Sequence, residues 1–277
     1  MLAELPEAAA EGRIAEIYGE IRRLWAVPYV SSLQRHLATR PGRLEWVWSA
    51  LGPAFRSGQA QTAAWRVAGG LELPTLSPLP AGFLRQFGVD AADQRIIADV
   101  CAGFVRVAPV NLMFSGLLRR LLKGERPAGG TTPGSPAATW QPPGALPAPP
   151  ALADIAALDK DTQAVLLRLG TAVDGQPFVP GLYLMLAHWP AYIAHLGGWL
   201  APLGRAVETD TARKALLAGI DAAVAAQFPT LPPISEQGAP ALDEIPAVLA
   251  ALDMYRRTSP EMVIFGRLIA AALPENN

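Results

Sequence analysis

A chain of 277 residues that is 51% hydrophobic can bury about three quarters of the surface its unfolded form exposes. Its formal net charge of −1 excludes the basic field that nucleic acid or an anionic membrane surface requires. The single cysteine, Cys101, rules out an intrachain disulfide, and the amino terminus MLAELPEAAAEGR is acidic where a secretion signal is basic and then apolar; the expectation is a cytoplasmic protein.

Along the chain, Ile14, Ile17, Ile21, Leu24 and Trp25 recur at helical spacing and predict a first helix. A helix through 29–39 would carry Tyr29, Ser32 and His36 on one face, at i, i+3 and i+7. Ile97, Val100, Cys101 and Phe104 form another stripe, entered from Asp90 as an N-cap. Residues 124–150 hold eight prolines and five glycines, a composition neither helix nor strand tolerates, so this is a linker from which Trp140 is expected to pack back on the body. Ile155, Leu158, Val165, Leu166 and Leu169 open a second helical series. Residues 175–204 lack any charged side chain, yet Pro177, Pro180, Pro190 and Pro202 interrupt them; they read as buried helices rather than a membrane span. Prolines 41, 109, 190 and 260 are expected in first helical turns, where a missing N–H costs nothing. No segment alternates with period two, so the fold class is all-α, with six or seven helices in each half.

The halves repeat one another. LATRPGRLEWVWSALGPAFR (37–56) matches LAHWPAYIAHLGGWLAPLGR (186–205) at a constant offset of 149, with Leu37/Leu186, Pro41/Pro190, Pro53/Pro202 and Arg56/Arg205 among the identities. PTLSP (74–78) matches PTLPP (229–233), and RVAPVNLMF (106–114) matches RTSPEMVIF (257–265) in the same order. A period near 150 is too long for a solenoid. It predicts a pseudo-symmetric tandem duplication with a cleft between the copies: a first helical repeat over 1–123, the linker over 124–150 and a second repeat over 151–277.

General chemical motifs are absent: there is no glycine-rich phosphate loop, HExxH, CxxC or GxSxG. Three histidines are too few and too badly spaced for a metal site, and Cys101 on its apolar stripe reads as a small buried hydrophobe. No cofactor or metal is expected.

In order and spacing, several segments together resemble the group I 2-haloacid dehalogenases, an all-helical family of two fused repeats. The resemblance rests on AVPYVSSLQRHLATRPG (26–42), LSPLPAGFLRQFGVDAADQ (76–94), AGFVRVAP (102–109), LAHWP (186–190) and MYRR (254–257), and covers most of the chain. It implies hydrolysis of small 2-haloalkanoic acids by a water that a carboxylate deprotonates, with inversion and no covalent intermediate. It also implies a small organic acid as ligand and neither nucleic acid nor membrane as partner, and leaves a homodimer open.

Two positions depart from that pattern. Leu182 stands where the family has its catalytic Asp, and Ala108 where an Asn helps to hold the water; neither side chain can take a proton. Pocket positions correspond to Tyr29, Ser32 and Tyr255, and Asn111, one turn beyond Ala108, is a further residue able to hold a water or to serve as a surface amide. His36 is the candidate for a relocated base, its alternative being a histidine bonded within the helix packing. Glu261, directly after Pro260, reads as a first-turn acid offsetting a helix dipole, and Asp253 points away from Tyr255. Arg106 and Arg257 read as a repeated structural pair bonding helix C-terminal carbonyls. Two functions stay open: a dehalogenase-like hydrolase with a displaced base, and a protein that binds a small organic acid or apolar ligand without turnover. A helical disulfide peroxidase is disfavoured by the single cysteine.

Overall fold

The computed structural model describes residues 3–129, 140–173 and 175–274. Among them the helical periodicity is realised as eleven α-helices, three short 3-10 turns and one hairpin. The first half runs α1 (Gly12–Trp25), α2 (Ser32–Leu37), α3 (Arg43–Arg56), α4 (Gln59–Gly69), α5 (Ala81–Gln86) and α6 (Ala91–Leu122); the second runs α7 (Lys160–Leu169), β1 (Thr171–Val173), β2 (Gln176–Phe178), α8 (Gly181–Leu186), α9 (Pro190–Leu203), α10 (Val207–Gln227) and α11 (Ile245–Ala272). The series are parallel. Helices α2 and α8 both have six residues, α3 and α9 both have fourteen with an interior proline, and α6 and α11 are both long with an interior proline. The centre of the expected linker, 130–139, lies outside the described residues; 125–129 and 140–153 carry no helix or strand.

Several elements differ from the sequence reading. The helix expected over 29–39 begins only at Ser32, because its N-cap Ser31 is extended (φ −66, ψ 152). Tyr29 therefore stands outside α2. Pro190 does open α9, but Pro41 lies in the turn before α3, and Pro109 and Pro260 lie inside α6 and α11. The second half has five α-helices rather than six or seven, since 231–244, which holds Pro232, Pro233, Gly238 and Pro240, forms none. The hairpin pairs Thr171 with Phe178 and Val173 with Gln176. Its two-residue connection ends on Gly175 at φ 77, the conformation a tight hairpin demands.

The described residues cluster into two compact units, each drawing on both halves: residues 3–70, 106–129, 140–146 and 216–259, and residues 71–105, 147–173, 175–215 and 260–274. In the first unit Trp25, Trp48, Phe55 and Phe114 are sealed from solvent with ring centroids 5.9–6.1 Å apart, tilted and stacked as aromatic quadrupoles prefer. Glu20 anchors this group from its edge, accepting from Trp48 Nε1 (2.6 Å) and Arg56 Nε (2.6 Å). The Arg56 hydrogen bond holds its carboxyl below the usual carboxylate range. Buried Gln61 donates to Leu24 O and Phe55 O, tying the ends of α1 and α3 together. Asp90 caps α6 through Ala92 N (2.7 Å) and Asp93 N (2.9 Å). Helix α6 is long and apolar enough to cross a membrane, yet 61% of its most apolar stretch is buried inside the protein.

Trp140 packs back on the body as the sequence suggests: its ring covers Gly58, where an added Cβ would fall 2.1 Å from the indole. Gly58 also has φ +74, which side chains rarely adopt. Gly58→Ala should destabilise by about 1 kcal/mol or more, and Trp140→Ala should recover part of that loss. Urea unfolding of the two single variants and the double variant reads the coupling; strict additivity would show that the ring does not sit there.

Candidate active site

Tyr29, Ser32, His36, Ala108, Asn111 and Tyr255 belong to the first unit and Leu182 to the second, and each group is built differently. In the first unit the six residues of α2 and the second half of α6 meet through polar side chains. Asn111 is buried on α6, donates from Nδ2 to Ser31 Oγ (3.0 Å) and accepts at Oδ1 from Gln34 Nε2 (3.2 Å). It is not a surface amide. Gln34 is fully buried; its Oε1, the hydroxyl of Tyr29 and Ser115 Oγ are buried with no hydrogen-bond partner among the described residues. Burial pushes the Tyr29 phenol well up.

Ser32 serves a different network. Its hydroxyl donates to Glu4, whose other oxygen pairs with Arg35 at 2.7 Å, and it also bonds Tyr255. His36 Nδ1 lies 2.8 Å from Ala3 O, and Leu5 N donates to Arg35 O at 3.0 Å. The N-terminal segment thus straps α2, and His36 is one of its fastenings. Asp253 pairs with Arg119 while Tyr255 faces Ser32, as their spacing predicts. Arg106 donates to Ala26 O, the C-cap carbonyl of α1, at 3.0 Å and to Gly144 O at 2.7 Å. Ala108 is a buried aliphatic position on α6. A cavity of about 290 Å³ lies elsewhere in this unit, with Gln59, Arg66 and Gln227 in its lining and none of the expected site residues.

In the second unit Leu182 is fully buried on α8, and the residue after it makes the polar contact. Tyr183 is fully buried and donates from Oη to Glu261 Oε1 at 2.7 Å. Glu261 is not a first-turn acid: Pro260 lies inside α11, so no helix N-terminus is available for it to offset. Its side chain is 15% exposed, with Oε2 3.9 Å from Arg213 Nη2, too far to be saturated by a hydrogen bond. Arg213 itself is held by Gly204 O at 2.9 Å. One helical turn before it on α10, Thr209 is fully buried with its hydroxyl unpartnered among the described residues. Burial raises the Glu261 carboxyl above the usual range, against smaller pulls from the Tyr183 hydrogen bond and the Arg213 charge. The arrangement is a carboxylate pinned at one oxygen and open at the other, which is the form of a general base with its orienting partner.

In the same unit Cys101 is fully buried, and burial pushes its thiol up to about 12. His188 Nε2 lies 2.8 Å from Ala151 O, a packing role. His195 stacks on Phe87 at 4.6 Å with Trp199 at 4.4 Å, and burial lowers its pKa.

Solved structures decide the architecture. A D-2-haloacid dehalogenase mutant in complex with D-2-CPA and a D-2-haloacid dehalogenase in complex with L-LA both align with a TM-score of 0.76, at 18% and 19% identity, over 98% of this chain and 96% of theirs. The fold is that of the D-2-haloacid dehalogenases. A further D-2-haloacid dehalogenase mutant structure aligns with a TM-score of 0.72 at 18% identity, over 97% of this chain and 96% of its own. No protein-family model matches the sequence, and no curated protein matches it. The helical dehalogenase-like fold expected from the ordered segments is therefore present, at an identity low enough for its side chains to have diverged.

From the sequence Glu261 reads as a first-turn acid; the signal that it is interior is the long apolar run on both sides of Pro260. Its burial sets a pH test. A carboxyl whose folded pKa exceeds the ordinary 4.5 leaves the folded state binding more protons than the unfolded chain, so stability falls as pH rises through the folded value. Glu261→Gln removes that loss. Its melting temperature should draw ahead of wild type as pH climbs above 4.5 and match it below; a difference independent of pH would show that Glu261 is solvated.

Proposed function

We propose that this protein is a dehalogenase-like hydrolase of small 2-haloalkanoic acids in which Glu261 replaces the aspartate missing at Leu182. The observation that supports the reading is the buried Tyr183–Glu261 pair, whose donor is the residue directly after Leu182. Leucine can neither accept a proton from water nor hold one, and Ala108 supplies no amide; water activation needs a carboxylate from another element. Glu261 has the three properties required: fixed orientation from Tyr183, an unsaturated Oε2, and an affinity for protons above that of a solvated carboxylate.

In the proposed step Oε2 takes a proton from a water. The oxygen forms a bond to C2 as the carbon–halogen bond breaks, halide leaves with the electron pair, and the product is the inverted 2-hydroxy acid. The proton then passes to solvent. Halide needs no general acid. Arg213, tethered at one nitrogen to Gly204 O, supplies the positive charge that suits the substrate carboxylate.

Binding of the same acids without turnover is the second reading, favoured by the aliphatic pair Leu182 and Ala108. Halide release from 2-chloropropionate separates the two. Wild type should release halide, Glu261→Gln should lose about 100-fold or more of that rate, and His36→Ala should leave it unchanged. Tyr183→Phe should raise the acid-limb pKa of kcat/KM, since the lost hydrogen bond stabilises the ionised carboxylate. Ligand-induced melting shifts with no halide from wild type would establish the binding reading instead.

A further inference from the structure

The cavity of about 290 Å³ in the first unit takes no part in the chemistry assigned to Glu261. Helix α4 and the second half of α10 run antiparallel past it and meet at two points. At one, Gln227 Nε2 donates to Gln59 Oε1 at 3.0 Å. At the other, Gly219 lies so close to α4 that an added Cβ would fall 2.6 Å from Val67 Cγ1. On each helix the two points are eight residues apart, about 12 Å of rise. Midway between them stand Ala63 on α4 and Ala223 on α10, both lining the cavity. Methyl groups there leave open the space that longer side chains would fill, and the contacts at either end keep the helices from closing over it.

The lining selects the ligand. Arg66 is its one charged residue, and the guanidinium has no ion pair or hydrogen bond among the described residues. Asp221, the one carboxylate on these two stretches of helix, is spent on Arg256, which donates to both its oxygens at 2.8 and 2.6 Å. An open guanidinium fork suits a carboxylate. Beside it Ala63, Val67, Ala223 and Ala226 form a hydrocarbon wall, which suits an apolar body. The far end holds only the neutral amides of Gln59 and Gln227 and the Thr230 hydroxyl, which donates back to Gln227 O at 2.8 Å. Arg66 and Gln59 are seven residues apart, about 10 Å along the helix. An aryl ring on a two-carbon arm covers most of that length, whereas a three-carbon 2-halo acid does not.

We propose that the cavity between α4 and α10 binds a small arylalkanoate, with the carboxylate on Arg66 and the ring between Ala63 and Ala223. The test is titration of the full chain with 3-phenylpropionate and, in parallel, with 3-phenylpropionamide, followed by NMR of the backbone amides. Wild type and Glu261→Gln should bind the acid saturably and with equal affinity, which separates this site from the proposed hydrolysis. The largest shifts should fall on α4 and the second half of α10. Arg66→Gln should weaken the acid about fivefold, the worth of one solvent-facing charge contact, and leave the amide unchanged. Ala223→Leu, which fills the middle of the hollow, should weaken both compounds at least about tenfold. The Arg66→Gln and amide measurements stand whatever Ala223→Leu does to folding. Absence of saturable binding, or shifts lying outside α4 and α10, would overturn the proposal. So would equal affinity of wild type for acid and amide, since Arg66 would then take no part.

Discussion

A polar side chain on a six-residue helix, sealed from water, has to be answered by the long helix packed against it. Gln34 is answered by Asn111 on α6 and Tyr183 by Glu261 on α11. Either polar group left unmet would cost about 1–3 kcal/mol, a sizeable share of a typical folding free energy. The position of the answering residue is tied to proline: Asn111 follows Pro109 by two residues and Glu261 follows Pro260 by one. Proline deprives the carbonyl four residues earlier, at 105 and at 256, of its helical donor. The two solutions are chemically unlike. One is a neutral amide chain and the other a carboxylate with an oxygen to spare.

That difference carries the functional argument. A neutral chain can orient and recognise but cannot move a proton, whereas a pinned carboxylate in low dielectric can. The shared fold with D-2-haloacid dehalogenases at 18–19% identity fixes the backbone. On the proposed reading, the carboxylate that Leu182 lacks comes from the neighbouring helix as Glu261, held by Tyr183.

Much of this architecture was legible in the residues. The ordered matches at offsets near 150 anticipate the parallel element series, Asp90 is readable as a cap because two free amides follow it, and Trp140 is the one large aromatic in a stretch too rich in proline to fold alone. The errors share one cause. Proline at 109 and 260 is locally a helix opener, and only the apolar surfaces continuing on both sides, from Ile97 to Leu122 and from Val248 to Leu273, outweigh that preference. With Pro260 taken as a helix opener, Glu261 reads as a first-turn acid. The face shared by Tyr29, Ser32 and His36 required a helix reaching back to Tyr29, which the extended Ser31 interrupts. Pairings such as Gln34 with Asn111, 77 residues apart, have no local signature and come from tertiary packing alone.

The depth at which Cys101 lies has a practical side. A thiol that ionises only near 12, inside a helix and without solvent contact, is inert toward maleimides and disulfide reagents while the protein stays folded. Any cysteine introduced on the surface would then be the sole reactive group in the chain. Spin labels or fluorophores can be attached at chosen helices without first removing the native residue, and thiol titration of the unmodified protein becomes a direct meter of its unfolding.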